Sequence, residues 1–582
     1  MSHQAVGFHS LDWLTYEPLR EESLREPLIE NNNRMFHQGI GIHFLDTERL
    51  IYKPLRELRR QMMLKYFQDG IDMVHDELRQ SLQCESSKSK IFHFSQDELD
   101  FLPENVVDVF RKKGDEYKIS EDDFNRILRQ NKDPEVRKCV SLACRQRRDN
   151  TKLLEQLCYW RHKYAVLRGF NNHASSIQKY CTAKNPSNVM SFYSELIPKF
   201  QNLWNKEKTE ILKLKLKDCT DNGESFNGQL KYWDVEYYIE KILVNHFNVD
   251  REILREYFPV NKVLEGLFEI FAQIFCLKIS KCKKSNMKGF VNLPSMIRRQ
   301  DLYEIYDLES KDVLGYFYLD LFRRKGKRPG GGSKLLQLRC KGMEALPVYV
   351  VRTNFSPPTS LATSLLYHDD VVTLFRKFGY VMQYTCSQCE DWDLLCTPND
   401  LVDLNGKLFE NWAWDEECLR KISGHHENNE PMPESLLQGL VASRNAMMGY
   451  SNLYRITYGL LDQQMHTRQS CDATQYISDT FKELTGIDMI QSPAKVQFCI
   501  NQMLWISARF YGSLWSSAYA TDVYKTTFEN AGLRNPVAGT AYKRTVLKSI
   551  RLNDTYSLLA EYLGRPPTQN AFMNSLDNAK TI

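Results

Sequence analysis

The sequence has none of the features that mark membrane-spanning, secreted or nucleic-acid-binding proteins. Its longest apolar stretch, residues 263–277, covers about 15 positions and holds two glutamates, fewer than the roughly 20 apolar residues that a bilayer requires. The N-terminal residues show no basic stretch followed by an apolar run, so we expect no secretory signal. The 77 basic and 73 acidic residues nearly cancel over 582 positions, which predicts no membrane and no nucleic-acid partner.

Cysteine is scattered along the chain and its positions do not suggest a disulfide framework. There are 15 cysteines, and without a secretory signal we expect reduced thiols in a cytosolic protein. Cys386 and Cys389 have CxxC spacing, but no second pair completes the four ligands of a structural zinc site. A glycine run at 330–332 is followed by Ser-Lys, the reverse of a phosphate-binding loop. We therefore interpret the cysteines as unlinked and the glycine run as a flexible basic connector.

Histidine offers no ready metal site. None of the 13 histidines begins an HExxH motif, and none lies four residues from another. A helix can present two imidazoles to one metal ion only at such a spacing, so no single helix of this chain does so.

The composition is that of an ordinary globular protein, with 42% hydrophobic and 26% charged residues. Residues 1–95 are less regular than the rest, with helical patches at 48–68 and 69–83, and we place a domain boundary after them. The remainder predicts a mainly α fold with one small β-sheet. Helical periodicity occurs at 151–168, 188–216, 251–278 and 435–464, and strand-like alternation at 314–322 and 347–354.

The most informative segment is LLYHDDVVTLFRKFGYVMQY, which begins at residue 365. On a helix, Phe375, Gly379 and Met382 lie on one apolar face, and Arg376 and Tyr380 lie on the polar face beside it. The segment closely resembles the active-site helix of the thimet oligopeptidase and neurolysin family of zinc metallopeptidases. That family places HEFGHVM on a helix opened by HDEV, where this chain has HDDV followed by RKFGYVM.

The resemblance identifies what has changed at the catalytic positions. Arg376 and Tyr380 stand at the two zinc-binding histidine positions, and Lys377 stands at the position of the general-base glutamate. Asp403 lies seven residues before the Glu-Asn-Trp-Ala-Trp motif at 410–414, where the family has its third ligand, a glutamate. The resemblance therefore describes a degenerate active-site helix at about residues 365–384.

The resemblance extends over residues 96–582, whereas residues 1–95 match the family poorly. Other matching segments follow in the family's order, at 100–108, 169–174, 183–189, 233–238, 256–267, 315–320 and 510–516. Near the C-terminus the family uses a histidine and several tyrosines to bind substrate and stabilise the tetrahedral intermediate. By this resemblance Asn501 replaces the histidine, Tyr511 alone keeps a hydroxyl as a substrate-binding candidate, and three positions have lost theirs: Ile506, Phe510 and Ser513.

The resemblance implies a two-lobed, mainly α, zincin-like peptidase fold with a deep central channel and a small β-sheet. It also implies that catalysis is lost. Arginine is always protonated and cannot bind a metal, and Asp403 alone is too weak a ligand set for zinc. Lys377 could replace the base only with a strongly depressed pKa. We therefore expect no intact catalytic residue, no metal site and no cofactor, although active relatives use zinc.

Three functions are compatible with this pattern. The first is a catalytically inactive homologue of oligopeptide-cleaving zinc metalloendopeptidases that binds short peptides or a protein partner. The second is an active metalloendopeptidase with a relocated metal site, and the third is a structural protein whose channel is vestigial. The residues available for a relocated site are Cys386, Cys389, His425 and His368. We expect a cytosolic monomer in each case.

The substitutions also predict one specific contact. Loss of zinc leaves a carboxylate without its counter-charge, which is costly in a buried site. Arg376 can supply that charge by pairing with Asp403 through its planar guanidinium. The alternative is unconstrained drift, in which the two side chains do not meet.

Overall fold

The computed structural model describes residues 53–86, 91–95, 111–113, 116–120, 124–143, 149–282, 300–324, 327, 333–339, 345–358, 363–387, 399–489, 500, 503–504, 506–548 and 555–577. Residues 1–63 and 64–582 form two compact units, and the sites discussed below lie in the second. Most of the N-terminal segment that the sequence sets apart lies outside the described residues, as do Cys389 and Asn501. The boundary after residue 95 stays a prediction.

Helices make up most of the described chain. In chain order they are α1 Lys53–Ser86, α2 Phe124–Gln130, α3 Pro134–Ala143, α4 Thr151–Leu167, α5 His173–Gln178, α6 Pro186–Asp221, α7 Val235–Phe247, α8 Arg251–Arg255, α9 Val260–Phe275, α10 His368–Cys386, α11 Asn399–Phe409, α12 Glu416–Ile422, α13 Glu434–Ala442, α14 Met448–Thr467, α15 Ala473–Thr485, α16 Gly512–Val523, α17 Pro536–Tyr542, α18 Thr555–Leu563 and α19 Asn570–Asp577. No helix among the described residues combines the length and apolar character needed to cross a membrane.

The helix ends follow local chemistry. α6 begins after Asn185, whose side chain accepts the backbone N–H of Asn188 at 2.9 Å. The single helix expected at 251–278 is wrong, because Pro259 separates α8 from α9 and the chain becomes a strand at Leu277. The two patches expected at 48–68 and 69–83 are instead one helix, α1.

A five-stranded sheet confirms the predicted β region. Its strands are β4 Leu277–Lys281, β5 Asp301–Asp307, β6 Val313–Phe322, β7 Lys334–Gln337 and β8 Val348–Phe355. The strand order is β4-β5-β6-β8-β7; β6 and β8 run parallel, and the other pairs are antiparallel. β6 is buried at nearly every position, as expected of a central strand covered on both faces. The mainly α fold with a small sheet is confirmed.

A second sheet was not predicted. It has three short antiparallel strands in the order β1-β3-β2, namely β1 Ile91–Ser95, β2 Arg111–Lys113 and β3 Glu116–Ser120. Strands of three to five residues are too short for alternation to identify them in a sequence. The expectation of a single sheet is therefore wrong.

The buried face of α10 fixes this helix in the main core. Phe375 and Phe378 are fully buried, and the ring centroids of Phe271 and Phe378 lie 5.6 Å apart. Phe271 also contacts Phe409 at the end of α11, with centroids 5.1 Å apart. Buried aromatic rings of this size contribute strongly to core stability. The core therefore holds both α10, which carries Arg376 and Tyr380, and α11, which carries Asp403.

Candidate functional site

The start of α10 is held by contacts within the protein. Asp370 accepts the backbone N–H of Tyr367 at 3.1 Å, and Asp369 adds a second carboxylate to the first turn, where the helix dipole favours negative charge. His368 is buried, with its Nε2 2.8 Å from the carbonyl oxygen of Ala413. These contacts give the three residues a structural role at the start of the helix.

Two glycines allow α10 and α11 to cross closely. A Cβ on Gly379 would lie 2.5 Å from the carbonyl oxygen of Asn405, so the two backbones touch at this point. A Cβ on Gly406 would lie 2.9 Å from Cγ of Arg376 and 3.0 Å from Cε1 of Tyr380. This crossing brings the start of α11, with Asp403, against the polar face of α10.

Arg376 and Asp403 form the predicted ion pair. Nη2 of Arg376 donates to Oδ2 of Asp403 at 2.7 Å. The hydroxyl of Tyr380 donates to Oδ1 of the same carboxylate through a short hydrogen bond, and it also accepts from Nε of Arg376 at 3.3 Å. Both oxygens of Asp403 are therefore bonded to Arg376 and Tyr380, the residues that the resemblance matches to the family's two histidines.

A second carboxylate extends this pair into a network. Oε1 of Glu410 lies 3.5 Å from Nε of Arg376, and both its carboxylate oxygens lie 3.0 Å from Nζ of Lys407. Asp403, Lys407 and Glu410 follow one another at spacings of four and three residues, which places them on one face of α11 and the turn after it. The side chains of Arg376 and Asp403 remain 31% and 25% exposed, so the network is partly open to solvent.

The pKa shifts of Arg376 and Asp403 indicate that both partners are charged at neutral pH. Burial opposes ionisation of both partners, but the charge of Asp403, followed by Tyr380 and Glu410, raises the pKa of the Arg376 guanidinium. Burial would raise the pKa of Asp403, yet the Arg376 charge and the Tyr380 hydroxyl hold it below its ordinary value. Burial and the Asp403 charge raise the pKa of Tyr380. At neutral pH the pair is therefore ionised, with the tyrosine neutral.

Lys377 lies on the neighbouring side of α10 and approaches β7. Its Nζ donates to Oγ of Ser333 at 3.1 Å, and Ser333 also accepts the backbone N–H of Arg352. Burial, followed by the charges of Arg376, Arg352 and Lys327, lowers the pKa of Lys377 to about 8. At pH 7 this amine is still about nine-tenths protonated, so it is a poor acceptor for a proton.

The residues at the positions that the resemblance matches to the family's zinc ligands do not fit zinc. Zinc in such a site needs three neutral or anionic donors and an open position for water. Here a guanidinium occupies one position, and the oxygens of Asp403 are already bonded to Arg376 and Tyr380. Among the residues that the structure describes, no three His, Cys, Asp or Glu side chains are arranged to hold a metal ion.

Two of the described candidates for a relocated metal site, His368 and Cys386, lie far apart. His368 and Cys386 lie at opposite ends of α10, 18 residues or about 27 Å apart along the helix. Cys386 is buried, and Nε2 of His425 lies 3.6 Å from Glu256 on the chain before α9.

The described positions that the resemblance matches to the family's substrate-binding tyrosines differ in burial and in the residues that they contact. Tyr511 is fully buried, and its hydroxyl donates to Oδ2 of Asp400 at 3.2 Å. Its substrate-binding role stays a prediction that these contacts do not support. Phe510 packs with its ring centroid 6.2 Å from that of Tyr458, Ile506 is 38% exposed, and Ser513 lies in the first turn of α16.

Sequence reasoning missed four participants, namely Ser333, Lys407, Glu410 and Arg455. The spacing of Asp403, Lys407 and Glu410 could have indicated that Lys407 and Glu410 share a face with the aspartate. Burial lowers the pKa of Lys407 to about 8, and the charges of Arg376 and Arg455 add to that shift. Arg455 lies on α14, more than 40 residues along the chain, and no local pattern connects it to the site. Ser333 follows the glycine run that we interpreted as a flexible connector, and the sequence predicted no contact for it.

Comparison with known proteins assigns the chain to a family. The model of Peptidase family M3 matches residues 127–578. Oligopeptidase A of Escherichia coli is 29% identical over 73% of this chain, and the match covers 62% of that protein's length. Saccharolysin of Saccharomyces cerevisiae is 28% identical over 83% of this chain and 70% of its own length. The thimet-like oligopeptidase of Dictyostelium discoideum is 25% identical over 90% of this chain and 78% of its own length.

The fold has a counterpart among solved structures. A peptidase candidate from Chlamydophila abortus aligns with a TM-score of 0.52 at 10% identity, covering 89% of this chain and 73% of that one. At that identity the likeness concerns the fold alone. The family model covers more than three quarters of the sequence, and it includes both the degenerate helix and the pair at Asp403. The chain belongs to peptidase family M3, to which its resemblance to thimet oligopeptidase had pointed.

Proposed function

We propose that this chain is a catalytically inactive member of peptidase family M3 that binds short peptides without cleaving them. The observation that carries the proposal is the bonding of Asp403 to Arg376 and Tyr380. In active relatives the corresponding positions hold the metal. Here they are joined to one another, so the metal's role as Lewis acid and water activator has no donor set to support it.

The general base is also compromised. A base near neutral pH needs a pKa close to the working pH and an unprotonated form. The Lys377 pKa of about 8 leaves mainly the charged form at pH 7, and its Nζ is directed to Ser333. Retention of the fold alongside loss of both functions favours binding over catalysis. A role for the chain as a cytosolic monomer with a peptide or protein partner stays a prediction.

The test is incubation of the purified chain with a pool of short peptides, with products read by mass spectrometry. Parallel reactions contain added Zn²⁺ or a chelator. We expect no cleavage in either, together with saturable binding of peptides from the pool. Chelator-sensitive cleavage would contradict the proposal and support an active metallopeptidase with a relocated metal.

A matched control rebuilds the family's side chains in this scaffold. It combines Arg376→His, Lys377→Glu, Tyr380→His and Asp403→Glu. We expect this variant to bind about one zinc ion per chain by elemental analysis, and the parent chain to bind none above background. Equal zinc content in both would show that these four substitutions are not what removed the metal.

Ser333 and Lys377 support a second candidate function. Lys377 donates to Ser333 at 3.1 Å while it is protonated, but the roughly one-tenth of the amine that is neutral at pH 7 could accept the serine proton, as in a Ser-Lys hydrolytic pair. Such an enzyme would cleave without metal. Cleavage that survives the chelator and is lost in Ser333→Ala would favour it over the binding function.

A further inference from the structure

The stretch of chain that follows β6 carries charge of one sign only. Between Asp320 and Glu344 the sequence has no acidic residue and eight basic ones. They are Arg323, Arg324, Lys325, Lys327, Arg328, Lys334, Arg339 and Lys341. The chain as a whole is nearly neutral, with 77 basic and 73 acidic residues, so this excess is local. Blocks of like charge repel one another and often bind a molecule of the opposite charge.

The five-stranded sheet places part of this charge on the face that is turned away from α10. Phe317 of β6 packs against Phe378 of α10, with ring centroids 5.3 Å apart. Successive side chains of a strand point to opposite faces, so Asp320, three residues later, lies on the other face. Arg352 is the partner of Asp320 in the β6–β8 register and shares that face with it.

Lys334 adds a further cation to the same face. It is exposed and lies at the start of β7, the last strand in the order of the sheet. Its register partner is Val350, which lies two residues before Arg352 on β8. Lys334 and Arg352 are therefore diagonal neighbours on one face, a distance that a long side chain can span.

Asp320 is shared by three cations. Arg324 donates to both of its carboxylate oxygens, Nζ of Lys327 lies 3.0 Å away and Nε of Arg352 lies 3.5 Å away. The side chain of Lys327 is wholly buried, and it also donates to the backbone carbonyls of Asp320 at 2.7 Å and Phe322 at 2.9 Å. The side chains of Arg324 and Arg352 are 33% and 30% exposed. The buried lysine thus balances the aspartate, and the charge that remains faces solvent on the two arginines.

The buried lysine is repelled by both arginines. Burial lowers the pKa of Lys327, the carboxylate of Asp320 opposes this shift, and the charges of Arg324 and Arg352 add to it. An anion bound beside the arginines would offset their repulsion, because it favours the charged form of every cation near it.

We propose that Arg324, Lys334 and Arg352 form a basic surface that binds an acidic segment of a partner protein. The inference goes beyond peptide binding at α10, because this surface lies on the other face of the sheet. Guanidinium groups bind carboxylates through two directed hydrogen bonds, as Arg324 does with Asp320. A nucleic acid fits less well, since residues 323–343 contain no aromatic side chain on which a base could stack.

The test measures binding of a fluorescent octaglutamate peptide to the full chain at about 50 mM and about 200 mM salt. Octaglutamine, single-stranded DNA of the same length and phosphatidylserine-containing vesicles are compared with it. We expect saturable binding of octaglutamate that weakens about 10-fold at the higher salt concentration, and no binding of octaglutamine. Absence of octaglutamate binding would overturn the inference. Equal or tighter binding of the DNA or the vesicles would overturn the choice of an acidic protein segment.

Two double variants separate this surface from a general effect of charge. Lys334→Gln combined with Arg352→Gln should weaken octaglutamate binding about 10-fold, because two of the three proposed contacts lose their charge. Lys213→Gln combined with Arg420→Gln removes the same charge from exposed positions elsewhere and should change the affinity less than about 2-fold. A loss of the same size in both would contradict a specific surface.

Single variants separate charge from support of the fold. Arg352→Lys keeps the positive charge and should bind octaglutamate within about 3-fold of the parent chain. Lys334→Gln, at an exposed position of the last strand, should weaken binding about 3-fold without a change in melting temperature. A loss in Arg352→Lys as large as in the neutral double variant, or unchanged binding in Lys334→Gln, would contradict the proposed surface.

Discussion

The cluster around Asp403 differs from a second charged cluster around Asp462 in how far its side chains are exposed to solvent. Asp462 is fully buried, and its carboxylate accepts the backbone N–H groups of Ala508 at 2.9 Å and Phe510 at 3.0 Å. It also lies 3.0 Å from Nδ1 of His466, whose Nε2 lies 3.2 Å from Nη1 of Arg161. Arg161 donates in turn to two backbone carbonyls, so the charges of this cluster are bonded within the chain.

The difference separates two ways in which charged groups contribute to stability. Charges that are dry and fully bonded stabilise one arrangement, and removing a partner leaves the other group buried and uncompensated. Charges that are partly exposed are also solvated by water, so removing a partner costs less. Asp462 therefore belongs to the first kind of site, and the pair of Arg376 and Asp403 to the second.

The largest expected effect is on the buried cluster. Asp462→Ala should lower the free energy of unfolding by about 3–5 kcal/mol, because it leaves His466 and two backbone N–H groups without their acceptor. One of these groups belongs to Ala508, whose φ of 58° is itself unfavourable for a residue with a Cβ. Urea denaturation measures the change. A loss below about 1 kcal/mol would show that the two clusters do not differ as described.

An intermediate effect is expected where α10 crosses α11. Gly379→Ala should cost about 1–3 kcal/mol, because its Cβ would meet the backbone oxygen of Asn405, which can move only with the helix. Gly406→Ala should cost less, since its nearest neighbours are the side chains of Arg376 and Tyr380. Thermal unfolding of both variants measures the difference. The reverse order would mean that side-chain contacts, and not the backbone approach, limit the crossing.

The smallest effect is expected at the open pair. Asp403→Asn should lower the free energy of unfolding by about 1–2 kcal/mol at pH 7, between the values for exposed and buried pairs. The pKa of Asp403 is lowered in the folded state, so its contribution is fully present above the unfolded value near 4 and is lost as the pH falls through the folded value. The difference between variant and parent should therefore be constant from pH 8 to about pH 5 and shrink below about pH 4. Urea titrations at several pH values measure it, and a difference that persists at pH 2 would contradict an ionised pair.

Much of the fold could be predicted from local sequence. β6 and β8 appear where aromatic and β-branched residues concentrate, and α10 appears where the apolar positions recur with helical spacing. The wrong predictions also have causes in the local sequence. A periodic pattern does not indicate where a proline divides it, as between α8 and α9, and it cannot detect strands of three residues such as β2.

The candidate site also has some features that the sequence predicted and others that it could not predict. The motif at residues 376–382 and the spacing of Asp403 before Glu410 indicated which positions match the family's ligands, but they left open whether Arg376 meets Asp403, and the structure shows that it does. Burial of Tyr511 against Asp400 could not be predicted, because a motif fixes residue identity but not the side that a ring faces.

The sequence by itself determined the family and the helical class, because both depend on residue types in a fixed local order. Only the tertiary structure decided which contacts Asp403 makes. Two glycines set the distance between α10 and α11, and that distance lets Asp403 bond to both Arg376 and Tyr380. The approach of Arg455 from α14 depends on the packing of elements far apart in sequence, and long-range packing is the information that residue spacing does not contain.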